Sequence, residues 1–166
     1  NFALFCQMTE QEQAEKTYHN ILNLVWEFLT VKGAKINFEN QLEKLEEIIP
    51  DVNDYDFFGV VPALDACEAL GELLHAVIAG ETLEKAIQIS QISLGTVCSL
   101  LETQEDRDLS ETELKSREEI EEELDLQWQI YRLLKDCEKR DVDLILSLRN
   151  EIKQEGISNI GIKIEQ

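Results

Sequence analysis

Val60-Val61-Pro62-Ala63-Leu64-Asp65-Ala66-Cys67-Glu68-Ala69-Leu70-Gly71-Glu72-Leu73-Leu74-His75-Ala76-Val77-Ile78-Ala79-Gly80 is the stretch on which the fold turns. At about 100° per residue, Leu64, Cys67, Leu70, Gly71, Leu74 and Ile78 fall on one broad face, which Leu73 and Val77 widen. A strand would alternate with period two; this period is helical. Pro62 suits a first helical turn, where no amide donor is needed, and Gly80 supplies a left-handed C-cap. A helix apolar around most of its girth belongs at the centre of a helical assembly, with Gly71 admitting a close neighbour. Opposite the apolar face lies a narrow polar stripe of Asp65, Glu68, Glu72 and His75.

Outward from that helix, Phe2 to Cys6 reads as the end of a helix that began upstream. Thr9 with Glu12 has the spacing of a capping box, opening a helix to about Val31. Its inward stripe is Tyr18, Ile21, Leu22, Val25, Phe28 and Leu29, and Gly33 ends it. Asn37 caps a shorter helix, carrying Leu42, Leu45 and Ile48, that stops before Pro50; Asp51 to Asp56 is an acidic connection. Thr82 starts a helix to about Glu102. Ser110 with Glu113 and Ser116 with Glu119 are two further capping boxes, the second opening a helix whose inner face includes Ile120, Leu124, Trp128 and Tyr131. Lys139 and Arg140 then place positive charge at the negative end of the helix dipole. Asp141 caps a last helix ending at Gly156, and a break before it is favoured over one bent helix. Beyond Gly156, Ile160, Ile162 and Ile164 alternate with polar residues, as an extended segment does. Packing back onto the bundle is expected there, with donation as a strand to a second chain as the sharper alternative.

Composition agrees with helices. Of 166 residues 43% are hydrophobic, and only 7 Gly and 2 Pro punctuate them, too few for the frequent turns of an all-β fold. The expected architecture is all-α, a compact bundle of about six helices with a short extended tail, forming one domain over residues 1–166. No run reaches the roughly 18 apolar residues of a membrane span. Asn1 opens the chain with no basic stretch before an apolar one, so no signal peptide is read and upstream helical sequence is expected. Cys6, Cys67, Cys98 and Cys137 form no CxxC pair and sit in apolar, helix-like surroundings; buried free thiols point to the cytoplasm. The balance of 35 acids against 15 bases gives a formal charge of −20, which repels phosphate backbones and anionic lipid. Nucleic acid and membrane are therefore poor partners. Between Glu102 and Asp125 stand twelve acids and three bases, which reads as a solvated, mobile surface.

Glu72-Leu73-Leu74-His75 has the Glu-x-x-His spacing of carboxylate-bridged di-metal bundles, with both side chains pointing the same way one turn apart. The full site needs a second such pair, but the other histidine, His19, follows Lys16 at that spacing, so no metal or cofactor is assigned. Asp65, Glu68, Glu72 and His75 remain ligand-binding candidates, against the favoured reading of a solvated stripe with His75 paired to Glu72 or Glu68. Glu27 joins them because it interrupts the apolar run from Leu24 to Leu29. A meeting with His75 would build a pocket, whereas an outer-face position is expected. Asp51, Asn53, Asp54 and Asp56 approach a calcium loop, with the wrong ligand order and without its Gly. Cys67 and His75 lie about 12 Å apart along one helix axis, too far for a dyad. No P-loop or dinucleotide fingerprint is present, and Trp26, Trp128 and Tyr131 read as core or groove aromatics.

Several stretches together carry a resemblance. They are Leu29-Thr30-Val31-Lys32, Gln41-Leu42-Glu43-Lys44, Pro62-Ala63-Leu64-Asp65-Ala66-Cys67, Gly80-Glu81-Thr82-Leu83-Glu84, Gln127-Trp128 and Ser158-Asn159-Ile160-Gly161-Ile162. In order and spacing they resemble the bacterial YjaG-like family, a domain of unknown function, over essentially the whole chain. The resemblance implies an all-helical, cytoplasmic, bacterial protein with further helical sequence ahead of Asn1, and it supplies no catalytic, metal or ligand residue. The sequence points first to a non-catalytic binding protein, acting on a protein partner or as a homo-oligomer. The alternative is a metal- or small-molecule-dependent enzyme using the stripe from Asp65 to His75.

Overall fold

The computed structural model of the chain describes residues 1–80 and 82–163. Among them are eight α-helices: α1 (Phe2–Met8), α2 (Glu12–Thr30), α3 (Phe38–Glu46), α4 (Val60–Ala79), α5 (Thr82–Glu105), α6 (Glu111–Leu114), α7 (Glu118–Leu134) and α8 (Val142–Glu155). A single 3-10 turn lies at Val52–Asp54. The all-α reading holds. The count passes six because α1 and α6, of 7 and 4 residues, stand as helices of their own.

The apolar helix, α4, lies at the centre with α1, α3 and α5 packed against it. Ala63, Cys67, Leu70 and Leu74 are buried along it, and Phe2, Phe5, Ile21, Val25, Phe38 and Leu45 close the core around them. Ile78, expected on the buried face, is exposed, because the last turn of α4 runs past its neighbours and Ala79 and Gly80 are exposed with it. Gly71 faces a side chain, not a helix backbone: a Cβ there would lie 3.8 Å from Leu45 Cδ2, an ordinary contact. A second core of Val97, Leu101, Leu109 and Ile120 joins α5 to α7. α5 is therefore a wall shared by both cores. α8 rests on α2 through Arg149, which donates to Asn23 Oδ1 at 2.8 Å and lies 5.6 Å from the centre of the Trp26 ring.

The helix ends follow their capping residues with two exceptions. Asn37 accepts the Asn40 amide at 2.9 Å, Asp141 accepts that of Leu144 at 3.0 Å, and Gly80 closes α4 at φ 77°. Ser110 and Glu113 form both halves of their capping box. Thr9 does not cap α2. Its hydroxyl turns back to the Phe5 carbonyl at 2.8 Å and ends α1, Glu10 takes a left-handed φ of 58°, and α2 begins two residues later behind Gln11. Ser116 likewise donates backward, to the Glu113 carbonyl at 2.7 Å, leaving Arg117 as the N-cap of α7 without a side-chain cap. In both places the hydroxyl adds a second hydrogen bond to a carbonyl of the preceding short helix that already accepts the same residue's backbone amide.

The acid-rich stretch is more ordered than its composition suggests. Each of its bases is paired: Arg107 with Glu105 and Glu113, Arg117 with Glu105, and Lys115 with Glu111. Leu109 is buried among them, with its amide donating to Glu102 Oε1 at 3.1 Å. The Arg107 and then the Ser110 hydrogen bonds hold the Glu113 carboxyl down to about 2. After α8, the tail doubles back. Ile157 and Lys163 form an antiparallel bridge, and Ile160 packs on the second core, as the packed-back reading expected. Ile164 lies outside the described residues.

None of the four thiols is in a disulfide. Burial, then the neighbouring Cys6, raises the Cys67 thiol to about 12; burial, then Glu15, raises that of Cys6 to about 11. Cys137, expected to be buried, is exposed, because residues 131–140 all stand clear of the cores.

Leu74 is 0% exposed and Ile78 39%. Leu74→Ala should therefore cost about 2–5 kcal/mol and Ile78→Ala under about 1 kcal/mol, read from urea unfolding midpoints. Equal losses would show that the last turn of α4 is as enclosed as its middle.

Candidate functional site

The polar stripe of α4 is divided between α5 and solvent. Thr96 of α5, 2% exposed, donates its hydroxyl to Asp65 Oδ2 at 2.7 Å, with the Ile92 carbonyl at 3.0 Å as the competing acceptor. Two turns further along α4, Glu72 forms an ion pair with Lys85 at 2.6 Å. Antiparallel packing of α4 and α5 sets up both contacts, since the residues climb one helix as their partners descend the other. Glu68 and His75 are exposed and make no hydrogen bond or ion pair with the other described residues. His75 therefore does not pair with Glu72 or Glu68, because Lys85 holds Glu72 across the seam.

Glu27 is exposed on the outer face of α2. Tyr18 of α2 makes a polar contact with α4: its hydroxyl donates to the Ala66 carbonyl at 3.0 Å. Glu27 and His75 do not meet. Among the described residues no group of three or more His, Cys, Asp or Glu is arranged to hold a metal ion.

Two hollows flank the seam. One, of about 290 Å³, lies between α2, α4 and α5, with Asp65, Ser93, Thr96 and Asn159 on its polar side and Leu22 and Leu73 on its apolar side. The other, about 310 Å³, is bordered by Glu68, Glu72, Gln88 and Gln91, and Gln88 Oε1 is buried there without a hydrogen-bond donor among the described residues. Burial pushes the Asp65 carboxyl above its ordinary value, and the Thr96 hydrogen bond opposes the rise.

A different surface stands out on α7. Leu124, Trp128 and Tyr131, expected inside with Ile120, are 39%, 53% and 55% exposed, while Ile120 alone of the four is buried. The row that faces α5 is instead Ile120, Glu123 and Gln127. Glu123 is 6% exposed and accepts from Gln127 Nε2 at 2.7 Å, and Ser90 of α5 donates to Gln127 Oε1. With that row in the seam, the next one around the helix is turned outward. Trp128 and Tyr131 meet edge to face with centroids 5.5 Å apart, and with Leu124 and Gln127 they border a hollow of about 220 Å³. Ile120 packs near Val97 and Gln127 meets Ser90, so α5 and α7 run antiparallel. Continuing that register brings Tyr131 and Leu134 level with Ile87 and Leu83, which are 51% and 76% exposed. The signal was present in the sequence: Leu124, Leu126, Trp128, Ile130, Tyr131, Leu133 and Leu134 are more apolar residues than one inward stripe can hold.

Comparison with known proteins places this arrangement in a wider group. Residues 1–163 match a family model described as "Protein of unknown function (DUF416)". The chain is 72% identical to an "Uncharacterized protein" of Haemophilus influenzae, over 100% of this chain and 85% of that one. It is 52% identical to the "Uncharacterized protein YjaG" of Salmonella typhimurium, over 100% of this chain and 84% of that one. The crystal structure of a DUF416 family protein from Shewanella baltica is similar throughout, with a TM-score of 0.88 and 32% identity, over 98% of this chain and 85% of that one.

The raised Asp65 carboxyl has a consequence for stability. A group whose folded-state pKa is raised favours the fold while protonated, and that contribution is lost as pH climbs from the ordinary 3.8 through the raised value. Asp65→Asn keeps the shape and an acceptor for Thr96. Its urea midpoint should match wild type in acid, exceed it progressively across that window and hold a constant lead above it; profiles that stay parallel at every pH would refute the assignment.

Proposed function

We propose that this chain, which belongs to the DUF416 family, is a non-catalytic binding protein working through the exposed apolar face of α7. One observation carries the reading: Leu124, Trp128 and Tyr131 lie in one outward row of α7 and border a single hollow. Single exposed apolar residues are ordinary, but a contiguous set rimmed by charge marks a contact surface, and tryptophan and tyrosine dominate the energetics of such surfaces. A Trp–Tyr pair set edge to face is already ordered, so docking against it costs little further side-chain entropy. The dispersal of the α4 stripe supports the non-catalytic part. Two of its four residues are taken up by Thr96 and Lys85, and the other two face solvent. No helix of the described residues is long and apolar enough to cross a membrane, and the four unpaired thiols favour the cytoplasm as the place of action.

A second reading, a small-molecule site, rests on Asp65, whose carboxylate borders the 290 Å³ hollow with Thr96 as its hydrogen-bond partner. Its natural ligand would be a small cation with an apolar body.

Side-chain oxidation footprinting separates the two. At cellular protein concentration Trp128 and Tyr131 should be protected relative to dilute purified protein, while Trp26 and Tyr18 change little. Equal labelling of Trp128 under both conditions would remove α7 as the contact surface; protection confined to residues around Asp65 would favour the small-molecule site.

A further inference from the structure

Resting on the reading of α7 as a contact surface, we infer that its partner is a second copy of this chain, paired through antiparallel α7 helices about a two-fold axis at Trp128. The argument is one of register and charge. Glu121, Leu124, Trp128, Tyr131 and Lys135 follow one another at spacings of 3, 4, 3 and 4, the periodicity of a helix seam, so they share a face. All five are exposed. In an antiparallel pair centred on Trp128, each residue stands level with the one equally far on the other side. Glu121, seven positions before Trp128, then faces Lys135 of the other copy, seven positions after it, and symmetry makes the pair twice. Leu124 stands level with Arg132 of the other copy, whose guanidinium lies 6.0 Å from the centre of its own Trp128 ring and leaves its aliphatic stem for packing. Trp128 meets Trp128 on the axis. The surface is thus self-complementary, as a two-fold contact must be.

The charge layout singles out this partner. A chain of net charge −20 repels its own copies wherever acids meet acids. Yet α7 has Glu118, Glu119, Glu121, Glu122 and Asp125 exposed toward its start without a base among them, whereas at and just beyond its end Arg132, Lys135, Lys139 and Arg140 outnumber Asp136, Glu138 and Asp141, with Lys135 beside Asp136 at 2.9 Å on the exposed surface. Only a reversed second helix sets each end against its opposite. The same gradient suits the helix dipole, which explains acids first and bases last. The dipole does not explain why Glu121 and Lys135 lie on the face of the uncovered aromatics, equidistant from Trp128. The paired stretch from residue 121 to 135 is about 21 Å long by helical rise, a modest interface, so the dimer should dissociate on dilution.

Sedimentation velocity of the full chain over a wide concentration range tests the inference. A monomer–dimer equilibrium is expected. Trp128→Asp should weaken it by on the order of a hundredfold, because the residue is used twice on the axis. Glu121→Lys and Lys135→Glu should each weaken it roughly three- to thirtyfold, and the double variant should restore it. Each position is exposed, and an unchanged urea midpoint would show that the fold survives. A chain that is monomeric at every concentration overturns the inference, as does a dimer that Trp128→Asp leaves intact or a double swap that fails to rescue. Failure of the underlying reading looks different. If the chain is monomeric while Trp128 is still protected at cellular concentration, α7 remains the contact surface and only the self-pairing falls; if Trp128 is unprotected as well, both fall.

Discussion

Enclosing α4 takes neighbours on several sides, because a helix with Ala63, Cys67, Leu70, Leu74 and Ala76 all buried has little girth left for water. At roughly 25 cal/mol per Å² of apolar surface removed from solvent, each leucine so covered contributes about 1.5–3 kcal/mol, more than an ordinary neutral hydrogen bond at about 0.5–1.5 kcal/mol. The rest of the architecture follows from meeting that demand. α1 brings Phe2 and Phe5, α2 brings Ile21 and Val25, α3 brings Phe38 and Leu45, and α5 closes the remaining side with Thr96 turned to Asp65. α5 has one face spent on α4 and offers the other to α7, so the second core exists only where the first has placed its wall.

This order explains the fate of the polar stripe. Asp65 and Glu72 lie where α5 must pack and are matched there by a hydroxyl and an ammonium group. Glu68 and His75 fall to the side and stay wet. A stripe of carboxylates on an otherwise apolar helix here serves to orient a neighbour: a half-buried acid with one hydrogen-bond partner and a bridged ion pair define how far α5 is turned and how far it slides.

The helices were legible where a helical period coincided with a chemical stop signal. α4 reads directly from Pro62, its leucines and Gly80, and α3 from Asn37; the break before α8 follows from Asp141. The two misread caps, Thr9 and Ser116, share a cause. Each hydroxyl sits between a helix that is ending and one that is starting, and the spacing to Glu12 or Glu119 cannot say which of the two it serves. The larger miss is α7. Periodicity puts Leu124, Trp128 and Tyr131 on a face with Ile120 but does not tell which side of a broad apolar arc will meet α5. Glu123 and Gln127 decide that through Ser90, a contact 37 residues apart in sequence that no local pattern contains. For the stripe, the residue types were readable and the partners were not, since Thr96 and Lys85 carry no mark of their destination.

The two cores are joined by unlike means. Around α4 the enclosure is hydrocarbon and aromatic, with Phe5 against Tyr55 and Phe28 against Phe38. The link from α5 to α7 is clasped by Glu105, Arg107, Glu113 and Arg117, all at the surface, where added electrolyte screens attraction within roughly 10 Å at 0.1 M. Brine that tightens the first region by strengthening the exclusion of oil from water would loosen the clasp of the second. Ionic strength therefore acts on one component of that link alone: it slackens the ion pairs around Arg107 and Arg117, while Leu114 and Ile120, packed with Val97 and Leu101, keep α6 and the start of α7 seated.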